Sequence, residues 1–290
     1  MAERCRLCGA KARLAQSHII PAFATRWIKE TSVTGRLRSP ETPNVPRQDV
    51  PRVRLLCPTC EEKFSAWETR FAERVFAPSR AGGRFAMQYE EWLLRFLVSI
   101  AWRSTTVESD KFASAVRHLA EKVDKALKIW RDYLLSERAD AGPYEHHVFI
   151  ASEPVSGVQG VSMPPKFNFY MLRAVDTTLA MSFRRVLVYT KLPGIVLLSA
   201  IEPEKIEGMI GTRIRRRGVL SSPQRVAMLG FGDFLVDRAR TFSRMLEGMS
   251  DRQQQKMEEL AGREPQRVLK SDSYRVFLAD KYWQDRLGNK

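Results

Sequence analysis

Cysteine is scarce in this sequence, with 4 residues among 290, and histidine is equally so. A secreted disulfide scaffold carries more cysteine and spreads it through the fold, so that class is excluded. Long apolar runs are missing as well. The best candidates, residues 195–201 and 93–102, fall far short of the ~18 residues that a membrane span needs, and Arg95 interrupts the second. No membrane partner is expected. Residues 1–4 carry an acid and a base and lead straight into Cys5, so no signal peptide is expected and the chain reads as soluble and cytoplasmic. The glycines at 230 and 232 lack the strand-before, helix-after context of a nucleotide fingerprint, and no phosphate loop or serine nucleophile elbow occurs. Acidic side chains are the minority: 33 against 48 basic ones, a formal charge of +15.

Apolar residues make up 44% of the chain, enough for a real core in one large or two smaller domains. The positive excess is spread out, +7 over residues 1–100, +3 over 101–200 and +5 over 201–290. Such a chain attracts polyanions, because neutralised phosphates release condensed counterions. The densest run, Arg213, Arg215, Arg216 and Arg217, follows Gly208 and Gly211. It reads either as a phosphate clamp or as a solvated turn.

Pattern divides the chain at about residue 80, before Gly82-Gly83. In residues 1–80 we expect a tight turn at 5–9, a strand near 14–20 and a helix over 22–30. A proline-rich loop over 31–51, a strand at 53–56 and a helix from 60 to 77 follow, the last stopping before Pro78. Residues 81–290 read as α+β: helices over 85–105 and 111–138, then strands near 147–151, 167–174, 186–190 and 195–200. Helices are expected again over 224–249, 251–261 and 274–286. The stripe of the second helix is Phe112, Val116, Leu119, Val123, Leu127, Trp130 and Leu134. Pro193-Gly194 marks a hairpin turn.

All four cysteines lie in two C-x-x-C pairs, Cys5/Cys8 and Cys57/Cys60. Four thiolates complete a tetrahedron around zinc at about 2.3 Å, and no cysteine is left over. Gly9 permits the sharp backbone after the first pair, and the second pair opens a helix whose positive end favours thiolate. A knuckle pair with a pair at a helix start is the arrangement of a treble clef, here with a 48-residue gap between the pairs.

Ser17-His18-Ile19-Ile20-Pro21 lies inside that gap, and Glu61 directly follows the second pair. The order C-x-x-C-G, S-H-I-I-P, L-L-C-x-x-C-E-x-K-F resembles the HNH, or His-Me finger, endonucleases over about residues 3–78. The resemblance implies a ββα-metal-like zinc domain that cuts phosphodiester bonds. It makes His18 the general base and Glu61 a ligand for Mg²⁺ or Mn²⁺. Glu68, seven residues on and on the same helix face, is a second ligand candidate. Lys63 is placed to pair with a phosphate. Ser17 stands where many members carry an acid or histidine, and Arg52 where they carry the middle asparagine, with Asn44 and Asp49 nearby in sequence. Arg52, Arg54 and the arginine run are the candidate contacts to nucleic acid, DNA rather than RNA. The competing expectation is a non-catalytic zinc module that binds nucleic acid or protein.

Overall fold

The computed structural model describes residues 2–39, 42–50, 52–112, 117–158, 161–182 and 184–287, without the side chains of 110–112, 117–118, 261 and 284–287. Val116 and the side chains of Phe112 and His118 thus lie outside the described residues. The architecture is α+β.

The N-terminal part begins with β1 (Glu3–Arg4) and β2 (Lys11–Ala12), which pair around the first cysteine turn. Strand β3 (Gln16–His18) leads into helix α1 (Ala22–Glu30). The expected loop over 31–51 is not plain: β4 (Leu37–Ser39) and β5 (Thr42–Arg47) pair as a hairpin despite Pro43 and Pro46 in β5. Two-stranded edges tolerate proline because one side of each strand needs no ladder bond. Strand β6 (Arg52–Arg54) pairs with β3, setting Ser17 opposite Val53 and His18 opposite Arg52. Helix α2 (Pro58–Phe71) starts two residues earlier than expected, with Pro58 in its first turn, where its missing N–H costs nothing. It continues through a π turn over Ala72–Phe76 into α3 (Ala77–Ser79). The chain therefore passes Pro78, which occupies the first turn of α3.

The expected helix over 85–105 is instead strand β7 (Ala86–Tyr89) followed by α4 (Glu91–Phe112). Helix α5 (Arg117–Leu134) and strand β8 (His146–Ile150) come next. Residues 167–174, read as a strand, form helix α6 (Phe167–Arg173). The cause is distant in sequence: the Asp280 carboxylate accepts the backbone N–H groups of Asn168 and Phe169 at 2.9 Å each, capping the helix from outside. Strand β9 (Asp176–Ser182) was not anticipated, whereas β10 (Arg185–Leu192) and β11 (Ile195–Glu202) form the expected hairpin. Their two-residue turn puts Gly194 at φ +65°, a conformation that side chains with a Cβ avoid. The remainder comprises β12 (Met209–Ile210), β13 (Arg213–Ile214), β14 (Gly218–Ser221) and β15 (Arg225–Val226), then α7 (Phe231–Glu247), α8 (Asp251–Arg263), α9 (Pro265–Lys270) and α10 (Asp272–Leu287). Helix α7 starts seven residues later than the expected 224, because Arg225 and Val226 pair with β12.

The main sheet is antiparallel in the order β13-β8-β11-β10-β9. Its central strands alternate between two cores, as a period of two demands. Val186, Val188, Leu192, Ile195 and Leu197 face the core that holds α4 and α5. Tyr189, Val196 and Leu198 face a second core with α6 and α7. The first core runs without a break across residue 80, from Leu7, Leu56, Phe64 and Phe71 to Phe96, Trp102 and Val188. Among the described residues no helix is long and apolar enough to cross a membrane.

One core group titrates in an accessible range. Lys191 is fully buried, its ammonium donating to the carbonyls of Met171 and Ala174 and lying 4.6 Å from the Tyr170 ring. Burial pushes its pKa down to about 7. Between that value and the ordinary one near 10.5 the unfolded chain binds the extra proton, so stability must rise with pH across the window. Urea titrations should show the folded state gaining about 2 kcal/mol from pH 7 to pH 9 relative to Lys191→Met. Parallel pH profiles for the two proteins would refute it.

Candidate metal centre and histidine site

The four cysteine sulfurs lie within 4.8 Å of one another. A tetrahedron with metal–sulfur bonds of about 2.3 Å has sulfur–sulfur edges of ~3.8 Å. Cys8 Sγ and Cys57 Sγ are 3.7 Å apart, too far for a disulfide and right for such an edge. The backbone prepares the site. Gly9, at φ +76°, closes the turn and donates its N–H to the carbonyl of Cys5 at 2.9 Å. Arg6 N–H reaches the Leu55 carbonyl at 3.0 Å, tying the turn to the segment that enters the second pair. Burial raises the Cys5 thiol, but the N–H groups of Cys8, Cys57 and Leu7 more than reverse this and bring it to about 7. Burial, with hydrogen bonds to Cys57 and Cys8, pushes Cys60 up. Four thiolates this close repel one another, and a divalent cation among them removes that repulsion. The four cysteines fit a metal ion such as zinc.

The cysteine frame holds the end of β3 against the start of α2. Ser17, fully buried, donates its hydroxyl to Glu61 Oε2 at 2.6 Å. His18, next along the strand, points to the other face. Its Nε2 lies 3.0 Å from Asp49 Oδ2, and this is the only side-chain hydrogen bond of the ring among the described residues. Arg52, opposite His18 across the strand pair, bonds the same Asp49 oxygen through Nε and Nη2. Burial raises the Asp49 carboxyl, yet the hydrogen bonds from His18 and Arg52 take it down to about 2. Asp49 therefore stays a carboxylate and fixes which imidazole nitrogen carries the proton facing it.

Glu68 is tied to a residue that the sequence reading passed over. Arg103, 1% exposed on α4, approaches Glu68 Oε1 to 2.6 Å in an ion pair that lies off the N–H direction. Its Nη1 donates to the His18 carbonyl at 2.9 Å, its Nε to that of Ser99, and the guanidinium lies 5.3 Å from the Phe64 ring. The larger part of the chain thereby holds the histidine strand in place. Lys63 is exposed on α2. Among the described residues, no second group of three or more His, Cys, Asp or Glu side chains converges as the cysteines do.

The arginine candidates divide. Arg213 pairs with Glu145 and Arg216 with Glu91, each at 2.9 Å. Arg215 and Arg217 are exposed without a carboxylate partner among the described residues. Arg54 pairs with Glu3 at 3.0 Å. Comparison with known proteins finds no matching family model, curated protein or solved structure.

Proposed function

We propose that the chain is an HNH-like, metal-dependent endonuclease that hydrolyses phosphodiester bonds in DNA, built on a zinc-bound treble clef. The observation that carries this reading is the meeting of two motif positions 44 residues apart: Ser17 hydrogen-bonds Glu61, while His18 leaves the same strand end on an Asp49 anchor. With Nε2 engaged by Asp49, Nδ1 of His18 is the nitrogen that takes a proton from water. Glu61, at the positive end of α2, would hold Mg²⁺ or Mn²⁺. The ion, when bound, supplies charge stabilisation at the scissile phosphate. A carboxylate and a hydroxyl suit a hard cation, which keeps water in its remaining positions. Lys63 would contact a neighbouring phosphate.

The non-catalytic alternative is favoured by Arg52, which holds the Asp49 carboxylate, and by Ser17, which supplies no charge. Incubating wild type and His18→Ala with supercoiled plasmid and with oligonucleotides in Mg²⁺ or Mn²⁺ separates the two. Nicking should fall at least 100-fold in the variant, the scale of a lost general base. Equal traces from both proteins, or tight binding with no cutting, would overturn the nuclease reading.

A further inference from the structure

Beside the histidine strand lies a surface cleft of about 320 Å³, lined by Arg4, Arg6 and Arg54, by apolar Val53, and by Thr106 and Val107 of α4. Its arginines come from both halves of the cysteine frame: Arg4 and Arg6 flank Cys5, and Arg54 ends β6 just before the second pair. Residues directly opposite in an antiparallel pair share a face, so Gln16 and Arg54 lie on the same face as His18 and Arg52. Arg54 stands two positions along the strand from Arg52, a spacing of about 7 Å. Arg54, which lines the cleft, thus shares a face of the β3–β6 pair with His18, while Val53 of the other face lines the cleft beside it. Among the described residues Glu3 is the one carboxylate in the lining, and it engages Arg54 at 3.0 Å.

We propose that this cleft binds the phosphodiester backbone of a single nucleic-acid strand and feeds it to His18. The proposal rests on the nuclease reading for its direction, and on the cleft itself for its ligand. A narrow cleft lined by arginines suits the phosphates and sugars of one strand, as positively charged grooves that track a single-strand backbone do. Glu3 competes with phosphate for Arg54, so removing its charge should strengthen binding.

The test measures anisotropy of a fluorescein-labelled ten-residue oligothymidylate over a range of salt concentrations. Arg6→Ala/Arg54→Ala should weaken binding about tenfold near 0.1 M salt and lower the slope of log K against log salt by about 1.4, two single-strand phosphates' worth. Glu3→Gln should tighten binding severalfold. A charge-matched control, Arg26→Ala/Arg74→Ala, changes exposed arginines outside the cleft and should move the slope by less than half as much. Thermal melts confirm that each variant is folded. Equal losses in the cleft and control variants, or no gain from Glu3→Gln, would overturn the cleft. Duplex bound more tightly than single strand through these same arginines would overturn the strandedness. If the slope changes appear but wild type never cuts, the nuclease reading fails and the cleft stands. If wild type cuts and the cleft variants bind and cut normally, the cleft fails and the nuclease reading stands.

Discussion

Replacing Cys57 by Ser is expected to lower the melting temperature by roughly 10 °C or more and to open residues 5–20 and 52–70 to rapid hydrogen exchange. The wild-type chain should carry about one zinc, released stoichiometrically by a strong chelator. The magnitude follows from what the cysteines do here. Strands β1, β2, β3 and β6 are two or three residues long, and such strands have no stability of their own. A metal held by the four sulfurs, which lie within 4.8 Å of one another, would join the first turn to the second and add to the Ser17–Glu61 hydrogen bond between β3 and α2. Structural zinc contributes on the order of 10 kcal/mol to isolated fingers. Part of that is retained here, because Phe64 and Phe71 also pack on Trp102 and Phe96 of α4. A net loss of about 6 kcal/mol then corresponds to roughly 10 °C in a chain of this size.

That shared packing also decides the form of the transition. With one apolar core running from Leu7 to Val188, the loss should spread into α4 rather than stay within residues 1–80. Exchange in residues 91–105 should therefore quicken in Cys57→Ser as well. A variant with unchanged melting and unchanged exchange would refute the structural metal.

The parts of the fold legible in sequence are those made by neighbours. The cysteine frame, α1, and the β10–β11 hairpin with Pro193-Gly194 at its turn each depend on contacts within about twenty residues or on a distinctive spacing. The misread elements depend on distant partners. Strand β7 looks helical because its strand partner, β14, lies about 130 residues away. Helix α6 looks like a strand because the carboxylate that caps it belongs to Asp280. At the candidate site, the cysteine frame and the positions of His18 and Glu61 could be written down from the motif. Asp49 was visible only as an acid near in sequence; its contact with His18 needed the β4–β5 hairpin to fold residues 48–50 back. Arg103 did leave a signal. It sits seven residues after Phe96 and four after Ser99, on a stripe otherwise buried, and a charge on a core stripe calls for a buried partner.

Glu68→Ala is expected to cost about 3–5 kcal/mol in urea unfolding, far more than a carboxylate on a helix surface ordinarily would. The substitution leaves the Arg103 guanidinium buried with its charge uncompensated, since its other contacts are two carbonyls and the Phe64 ring. Arg103→Met should cost less, because Glu68 is 17% exposed and can turn to water. The paired variant Glu68→Ala/Arg103→Met should be more stable than Glu68→Ala alone, giving a coupling above about 1 kcal/mol in a double-mutant cycle. Additive costs, or a loss below 1 kcal/mol for Glu68→Ala, would refute the buried pair. The same variants separate two roles for Glu68 in the proposed cleavage. If it acts through Arg103, which grips the His18 carbonyl, Glu68→Ala lowers the nicking rate while leaving its dependence on Mg²⁺ concentration unchanged, and Arg103→Met lowers it too. If Glu68 is itself a metal ligand, the Mg²⁺ requirement rises in Glu68→Ala and stays at the wild-type value in Arg103→Met.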